Sequence, residues 1–487
     1  LEVELEFLHP RFSEEAESRY FHYYCDEIAL QIQGPFRTEV WDRLIPQAGE
    51  MQPFIRHAIV ALGALSKAYA EDEHPVLSNP HHMYALKAYC KALKGIRNVL
   101  FSEWQDGRNA LIACLLVFCF ESLQGHQAAA TMHAGSLVSL FFNWRWTSEG
   151  MADNTPGVCA YGIQIEEGLH AAFSELDLQA LLFLDKRSTM MHRQIKEDVN
   201  ITISLMPEQF ETMHQCRTYW QLIMRRNFHF IAAARAAVSN PLSCINVGGP
   251  EESFTITCLR AENTPWSNPT NVSSGSRIPS HLLDEQQRYV KDIRRWERAA
   301  ESIFSRPTCQ APHEGDDLQD FSQATLLKIH ASMNVVLLAR TFYPPETAYD
   351  IYLPEFRKQV ELCEIVAPYI VLPNQSAAVY RFDLGITPSL SQTCVLCRHS
   401  ETRGRAIALL EACRGYREGI WDSKSIAVMT GFIRDAEEEN GGLNENGWVR
   451  AGRRVKLQGV DINAVEKTVI VSVKEVSGKE RVGRLRW

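Results

Sequence analysis

Hydrophobic and polar positions repeat at helical spacing over the first 437 residues. Glu14–Gln33 places Tyr20, Tyr23, Tyr24, Ile28 and Ile32 three and four positions apart. That spacing predicts an amphipathic helix packed on a core, stopped by Gly34-Pro35. Val40–Ile45 predicts a short helix ending at Pro46. Pro53–Glu71 sets Ile55, Ile59, Leu62 and Leu65 on one side and interleaves Ala58, Ala61 and Ala64, a density of small residues that lets helices approach closely. A polar loop over Glu71–Pro80 precedes His81–Leu100, where Lys87, Lys91 and Lys94 are expected outside and Tyr84, Tyr89, Leu93 and Ile96 inside. Gly107–His126 is apolar on nearly every side and closes at Gly125. It predicts the central helix of a large core, followed by a helix over Gln127–Phe142.

Further helices are expected over Val158–Leu184, Glu208–Val238, His281–Phe304, Leu318–Phe342 and Thr347–Val371. Asn240–Ser280 and Ser305–Asp317 are rich in Ser, Asn, Pro and Gly or dense in charge, the composition of solvated connectors. Arg403–Glu439 predicts two helices split near Gly419–Ser423. Beyond Gly441-Gly442 the period becomes two: Arg454–Gln458 and Val469–Val473 alternate around a turn near Asn463. This predicts a β-hairpin, and two strands alone are marginal in water, so it must pack on the helices. The expected architecture is mainly α: a large multi-helix bundle or array over residues 1–440, with a sub-boundary in loop 240–280, and a C-terminal β-hairpin tail over 441–487.

Composition adds limits. The chain has 487 residues, 45% of them hydrophobic, and a formal net charge of -9. Val449–Trp487 holds ten Lys/Arg against four Asp/Glu, a net of +6, so the remainder sums to -15. A nucleic-acid-binding domain usually shows a basic stripe or high pI, and Arg225-Arg226 and Arg453-Arg454 are pairs only. The tail is read as a solvated basic edge. Thirteen scattered cysteines predict free thiols in a reducing compartment. The longest apolar run, Ala110–Phe120, is about half the roughly 20 residues of a membrane span. A soluble intracellular protein is expected, and the initial Leu suggests a piece of a longer one.

Chemical markers are sparse. Cys394-Val-Leu-Cys397, with His399 beyond, is the only C-x-x-C pair, but a closed zinc site needs four ligands; solvated or core cysteines are the default reading. His81-His82 and His126/His133 lack convincing further ligands. No metal site is assigned. No G-x-S-x-G, H-E-x-x-H or phosphate-loop motif occurs, and Gly248-Gly249 reads as a turn. Glu121, near the end of an apolar helix, would be costly to bury unless paired; a local Arg or the helix end is the expected partner. No catalytic, DNA-binding or ligand-binding residue is assigned. An effector pocket around Tyr23, Tyr24, Phe118 and Cys119 competes with plain core packing, which is favoured.

Ordered blocks carry a resemblance. They are RYFHYYCDEIALQIQGPF (Arg19–Phe36), VWDRLIPQ (Val40–Gln47), PFIRHAIVALGALSKAY (Pro53–Tyr69), YALKAYCKALKGIR (Tyr84–Arg97) and RNALIACLLVFCFESLQGHQAAATMHAGSLVSL (Arg108–Leu140), then LDLQALLFLD (Leu176–Asp185), FDLGITPSLSQTCVLCRHSETRGRAIALLE (Phe382–Glu411), REGIWDSKSIAVMTGFI (Arg417–Ile433) and VDINAVEKTVIVSV (Val460–Val473). They resemble the regulatory domain of fungal binuclear-zinc-cluster transcription factors. The resemblance implies a mostly helical, nuclear, effector-sensing or regulator-contacting region lying C-terminal to a six-cysteine zinc module. No six-cysteine array occurs here, so DNA contact and zinc are expected only through a module outside this chain. Implied partners are transcriptional co-regulators or a small-molecule effector, with a homodimer left open. Because fold does not determine function, two alternatives stand. One is an enzyme on the same fold, with His126, His133, Glu121 and Asp383 as first suspects. The other is a non-catalytic complex subunit.

Overall fold

The computed structural model describes residues 12–71, 79–101, 107–127, 129–135, 166–183, 187–239, 278–310, 312, 316–342, 345–371, 379–413, 415–463 and 466–487. Most of the expected loop 240–280, with Gly248-Gly249, lies outside them, as do most of the loop after Glu71, the second half of Gln127–Phe142 and the start of Val158–Leu184. The fold is mainly α, with two small three-stranded sheets among the described residues.

The first layer follows the apolar pattern, with local departures. Helix α1 (Glu15–Tyr23) runs through a π-turn (Tyr24–Ile28) into α2 (Ala29–Gln33), which ends at Gly34 with φ 57°. The short helix expected to stop at Pro46 does not stop there. A second π-turn (Val40–Leu44) leads into α3 (Ile45–Met51). Pro46 thereby sits in the first turn of α3, where a missing N–H costs nothing.

Helix α4 (Pro53–Glu71) is buried on most of its circumference. Its neighbours approach through glycine: a Cβ on Gly63 would lie 2.3 Å from the Tyr20 carbonyl oxygen, and one on Gly95 of α5 (Pro80–Phe101) 2.4 Å from Phe54 Cβ. On α5 the buried stripe is Ala85, Ala88, Tyr89, Ala92 and Ile96, whereas Leu93 is exposed. Helix α6 (Gly107–Gln124) is buried from Ala110 to Leu123. It ends in a Schellman cap, with Gly125 at φ 81°, its N–H on Ser122 O and the His126 N–H on Glu121 O. Residues 127 and 129–135 are again helical.

Helices α7 (Glu167–Phe183), α8 (Thr189–Ser204), α9 (Met213–Ser239) and α10 (Ser280–Phe304) form the next layer. Trp220 and Trp296 join α9 to α10, ring centres 4.7 Å apart. α8 lies outside the helices expected from the sequence, although Ile195, Val199 and Ile203 repeat every four residues on its buried face. Helix α11 (Asp316–Ala339) lies against α12 (Leu353–Ile370), and a 3-10 turn over Glu346–Tyr352 replaces the first two turns of the helix expected from Thr347.

Strand β1 (Val379–Arg381) pairs parallel to β2 (Tyr416–Glu418), which turns back antiparallel into β3 (Trp421–Asp422). Between β1 and β2 run α13 (Thr387–Leu396) and α14 (Ser400–Ala412). Helix α15 (Ser423–Glu438) follows β3, capped by Asp422, which accepts from Ser425 N at 2.8 Å. The break expected near Gly419–Ser423 is thus a small hairpin.

The C-terminal hairpin is present and gains a third strand: β4 (Val455–Asn463), β5 (Thr468–Glu475) and β6 (Glu480–Arg486), all antiparallel. The sheet packs on α15. Buried Glu437 receives Arg403, Arg398 Nε at 2.8 Å and the Val455 N–H at 2.8 Å. Arg454 is not part of a solvated basic edge; it is buried and held bidentately by Asp350 at 2.8 Å to each oxygen.

Two glycines give opposite expectations. Gly63→Ala, whose Cβ meets backbone, should destabilise the fold by about 1–3 kcal/mol. Gly431→Ala, whose Cβ meets open space inside α15, should stabilise it by up to about 1 kcal/mol. Urea unfolding of both variants checks the two signs.

Candidate functional site

The four residues singled out for chemistry divide into two groups with different partners. Glu121 is buried at the end of α6. It accepts from the Tyr89 hydroxyl at 2.5 Å and lies 2.9 Å from His126 Nδ1. Burial opposes its charge, but the hydrogen bonds from His126 and Tyr89 outweigh it, so the carboxyl falls below its ordinary value. His126 is raised by the same bond. The partner of Glu121 is therefore a histidine and a tyrosine, not an arginine. His133 acts on Glu121 through space, its charge favouring the carboxylate. Asp383 follows β1 and pairs with Arg217 at 3.5 Å.

Other residues read from the sequence take structural roles. Tyr24, Phe118 and Cys119 are fully buried in the core, and Tyr23 is half-buried under Lys67. Burial pushes the Cys394 and Cys397 thiols up to about 12 and about 11. His399 is occupied as the N-cap of α14, its Nδ1 facing Thr402. Among the described residues no group of three His, Cys, Asp or Glu is placed to hold a metal ion. Arg225 and Arg226 are buried and bound to Asp177 and Asp292.

Sequence reasoning named Asp383 but passed over Glu175 and Glu418, the buried carboxylates that lie in a knot with it around residues 381–387. Helix α13 is buried along its whole length, so its first amides have no water to donate to. Glu418 on β2 supplies the acceptor. Its carboxylate takes the N–H groups of Gly385 at 3.0 Å, Ile386 at 2.8 Å and Thr387 at 3.1 Å. Glu175 on α7 takes the Leu384 N–H at 2.9 Å. Burial raises all three carboxyls of this knot. Glu418 reaches about 7, pulled back by the amides. Glu175 is raised further by the neighbouring charge of Asp383, while Arg217 and Arg381 restrain Asp383. Two residues on, Asp177 behaves oppositely: Arg187, His229 and Arg225 overcome its burial and hold it far below the usual range. The readable signal was Glu175 and Asp177 interrupting an apolar run, SELDLQALLF.

Arg217 links this knot to a groove of about 580 Å³ between α7, α9 and the turn at residues 37–44. One wall is the α9 face His214, Arg217, Thr218, Gln221, Leu222 and Arg225, spaced three and four apart. The facing wall runs from Glu166, just before α7, to Ser174 on that helix. Arg217 and Arg225, 15% and 6% exposed, are the deep cations of the lining and pair with Asp383 and Asp177, while Arg37 and Arg43 are exposed. The acids of the rim are engaged: Glu39 by Arg43, Glu166 by Arg108 at 2.6 Å, and Glu167 by His214 at 3.4 Å. Leu44, Ala171 and Leu222 supply apolar surface. Size and lining suit a small molecule with a polar end.

No protein-family model matches the chain, and no solved structure matches it. Over 125 residues, 25% of its length, the chain is 26% identical to sterol uptake control protein 2 of Saccharomyces cerevisiae. That alignment spans 13% of the yeast protein. The chain is thus distantly similar, over part of its length, to a fungal control protein. Among the described residues no helix is long and apolar enough to cross a membrane.

The knot sets a pH dependence. Glu175 is harder to ionise folded than unfolded, so the cost is absent below the ordinary carboxylate range and grows as pH rises through neutrality. Glu175→Gln keeps an acceptor for Leu384 and removes the charge. It should raise stability by roughly 1–3 kcal/mol at pH 8 and leave it nearly unchanged at pH 4.5. Urea unfolding of parent and variant at both pH values tests this; an equal difference at both would contradict it.

Proposed function

We propose that this chain is the regulatory, effector-sensing region of a fungal transcription factor, acting in the nucleus on RNA polymerase II transcription. The observation that carries the reading is the similarity to a yeast control protein, which agrees with the ordered blocks resembling fungal binuclear-zinc-cluster regulators. Those blocks coincide with scaffold: α1, α4, α5, α6 and α13 contribute the buried core. Such a scaffold suits a regulator, because a groove built on rigid helices can bind an effector and transmit the event through packed neighbours. DNA contact and zinc belong, in this reading, to a module outside the chain. Transcriptional co-regulators, a small effector or a second copy of the chain are its partners.

Fused behind a heterologous DNA-binding module in yeast, the chain should change expression of a reporter carrying that module's site by several-fold. A fusion that accumulates normally, reaches the nucleus and leaves the reporter at the level of the bare module would refute the reading.

A further inference from the structure

We propose that the groove between α7 and α9 binds a small organic carboxylate with an apolar body, its carboxylate held by Arg217 and Gln221 and its body lying on Leu44, Ala171 and Leu222. This names the ligand class for the effector-sensing reading and rests on it only for its biological meaning. Three observations support the assignment.

The first is helical register. Arg217 and Gln221 are four residues apart on α9 and line the same wall, so a guanidinium fork and an amide donor are stacked where one carboxylate can reach both. The second is the placement of charge. The rim acids are engaged by Arg43, Arg108 and His214, and Arg225 is taken by Asp177 at 3.1 Å, so Arg217 is the deep cation that the groove presents. An anion entering the groove meets its guanidinium in a setting where charge is weakly screened.

The third is that Arg217 is incompletely satisfied by the protein. It lies 3.5 Å from Asp383 and 3.4 Å from the Phe36 carbonyl, both at the limit of a hydrogen bond, and its guanidinium rests 4.4 Å over the Phe36 ring. Burial raises the Asp383 carboxyl, which weakens the acceptor that competes with a ligand. Contacts this long can be exchanged for shorter ones to a ligand carboxylate, which a guanidinium can hold bidentately and a lysine cannot.

Octanoate is the probe, with octanamide as its neutral match. Titration calorimetry and thermal melting of the purified chain should show saturable octanoate binding and a rise in melting temperature, and neither for octanamide. Arg217→Lys and Gln221→Leu should each weaken octanoate binding about tenfold. Gln221→Leu leaves the Arg217–Asp383 pair intact, so it decides the question even if the arginine variant does not fold. The proposal is overturned by absence of octanoate binding, by equal binding of octanamide, or by folded variants that bind as the parent does. Direct binding involves no reporter, so its failure leaves the regulatory reading standing, and a silent reporter leaves the groove assignment standing.

Discussion

A single carboxylate anchors the interior. Helix α13 is buried from end to end, and a helix cannot bury its first amides without acceptors. Glu418 provides them from a neighbouring strand, with three backbone N–H groups converging on one side chain. Taking that charge out of water is expensive, and the helix N-terminus offsets part of the cost by its dipole and its donors. The arrangement also dictates local sequence. A Cβ on Gly385 would fall 2.5 Å from Glu418 Oε1, and one on Gly419 would overlap the Gln179 amide. Position 419 further requires φ 53°.

From this point the constraints spread outward. Gln179 donates to Phe382 O at 2.5 Å, Phe382 N–H donates to Ile32 O, and His330 Nε2 meets Gly385 O at 3.0 Å. Arg417, next to Glu418, reaches Leu123 O at the end of α6, and Gln127 donates to Ile420 O. Helices α2, α7 and α11 are therefore tied to segment 382–385, and α6 to segment 417–420 beside it. Arg217 belongs both to segment 382–385, through Asp383, and to the groove wall. Anything that draws Arg217 toward the groove alters the electrostatic balance of the interior, which is the physical content of coupling between a surface ligand and a packed core.

The helical layers were legible because burial imposes a 3.6-residue period that tertiary context rarely overrides over several turns. Misreadings arose where a local rule met a specific contact. Pro46 reads as a stop, yet a π-turn before it shifts the helical register so that the proline begins a helix. Leu93 fits the apolar stripe of its helix but faces out, because Ala85, Ala88 and Ala92 make the close contact. The strand Glu480–Arg486 lacks the apolar alternation of its neighbours and is specified by pairing with β5.

The candidate site was less legible than the fold, for a physical reason. His126 and Glu121 are five residues apart, so their contact was within reach of local reasoning. Glu175, Asp383 and Glu418 come from three elements separated by more than two hundred and by thirty-five positions, and nothing local marks them as neighbours. Sequence alone determined which faces are apolar, hence the mainly helical fold and the burial of Tyr24, Phe118 and Cys119. Only the tertiary structure decided which charges share a low-dielectric space, because the energy of a buried carboxylate depends on the distances to its donors and counter-charges rather than on its neighbours in the chain.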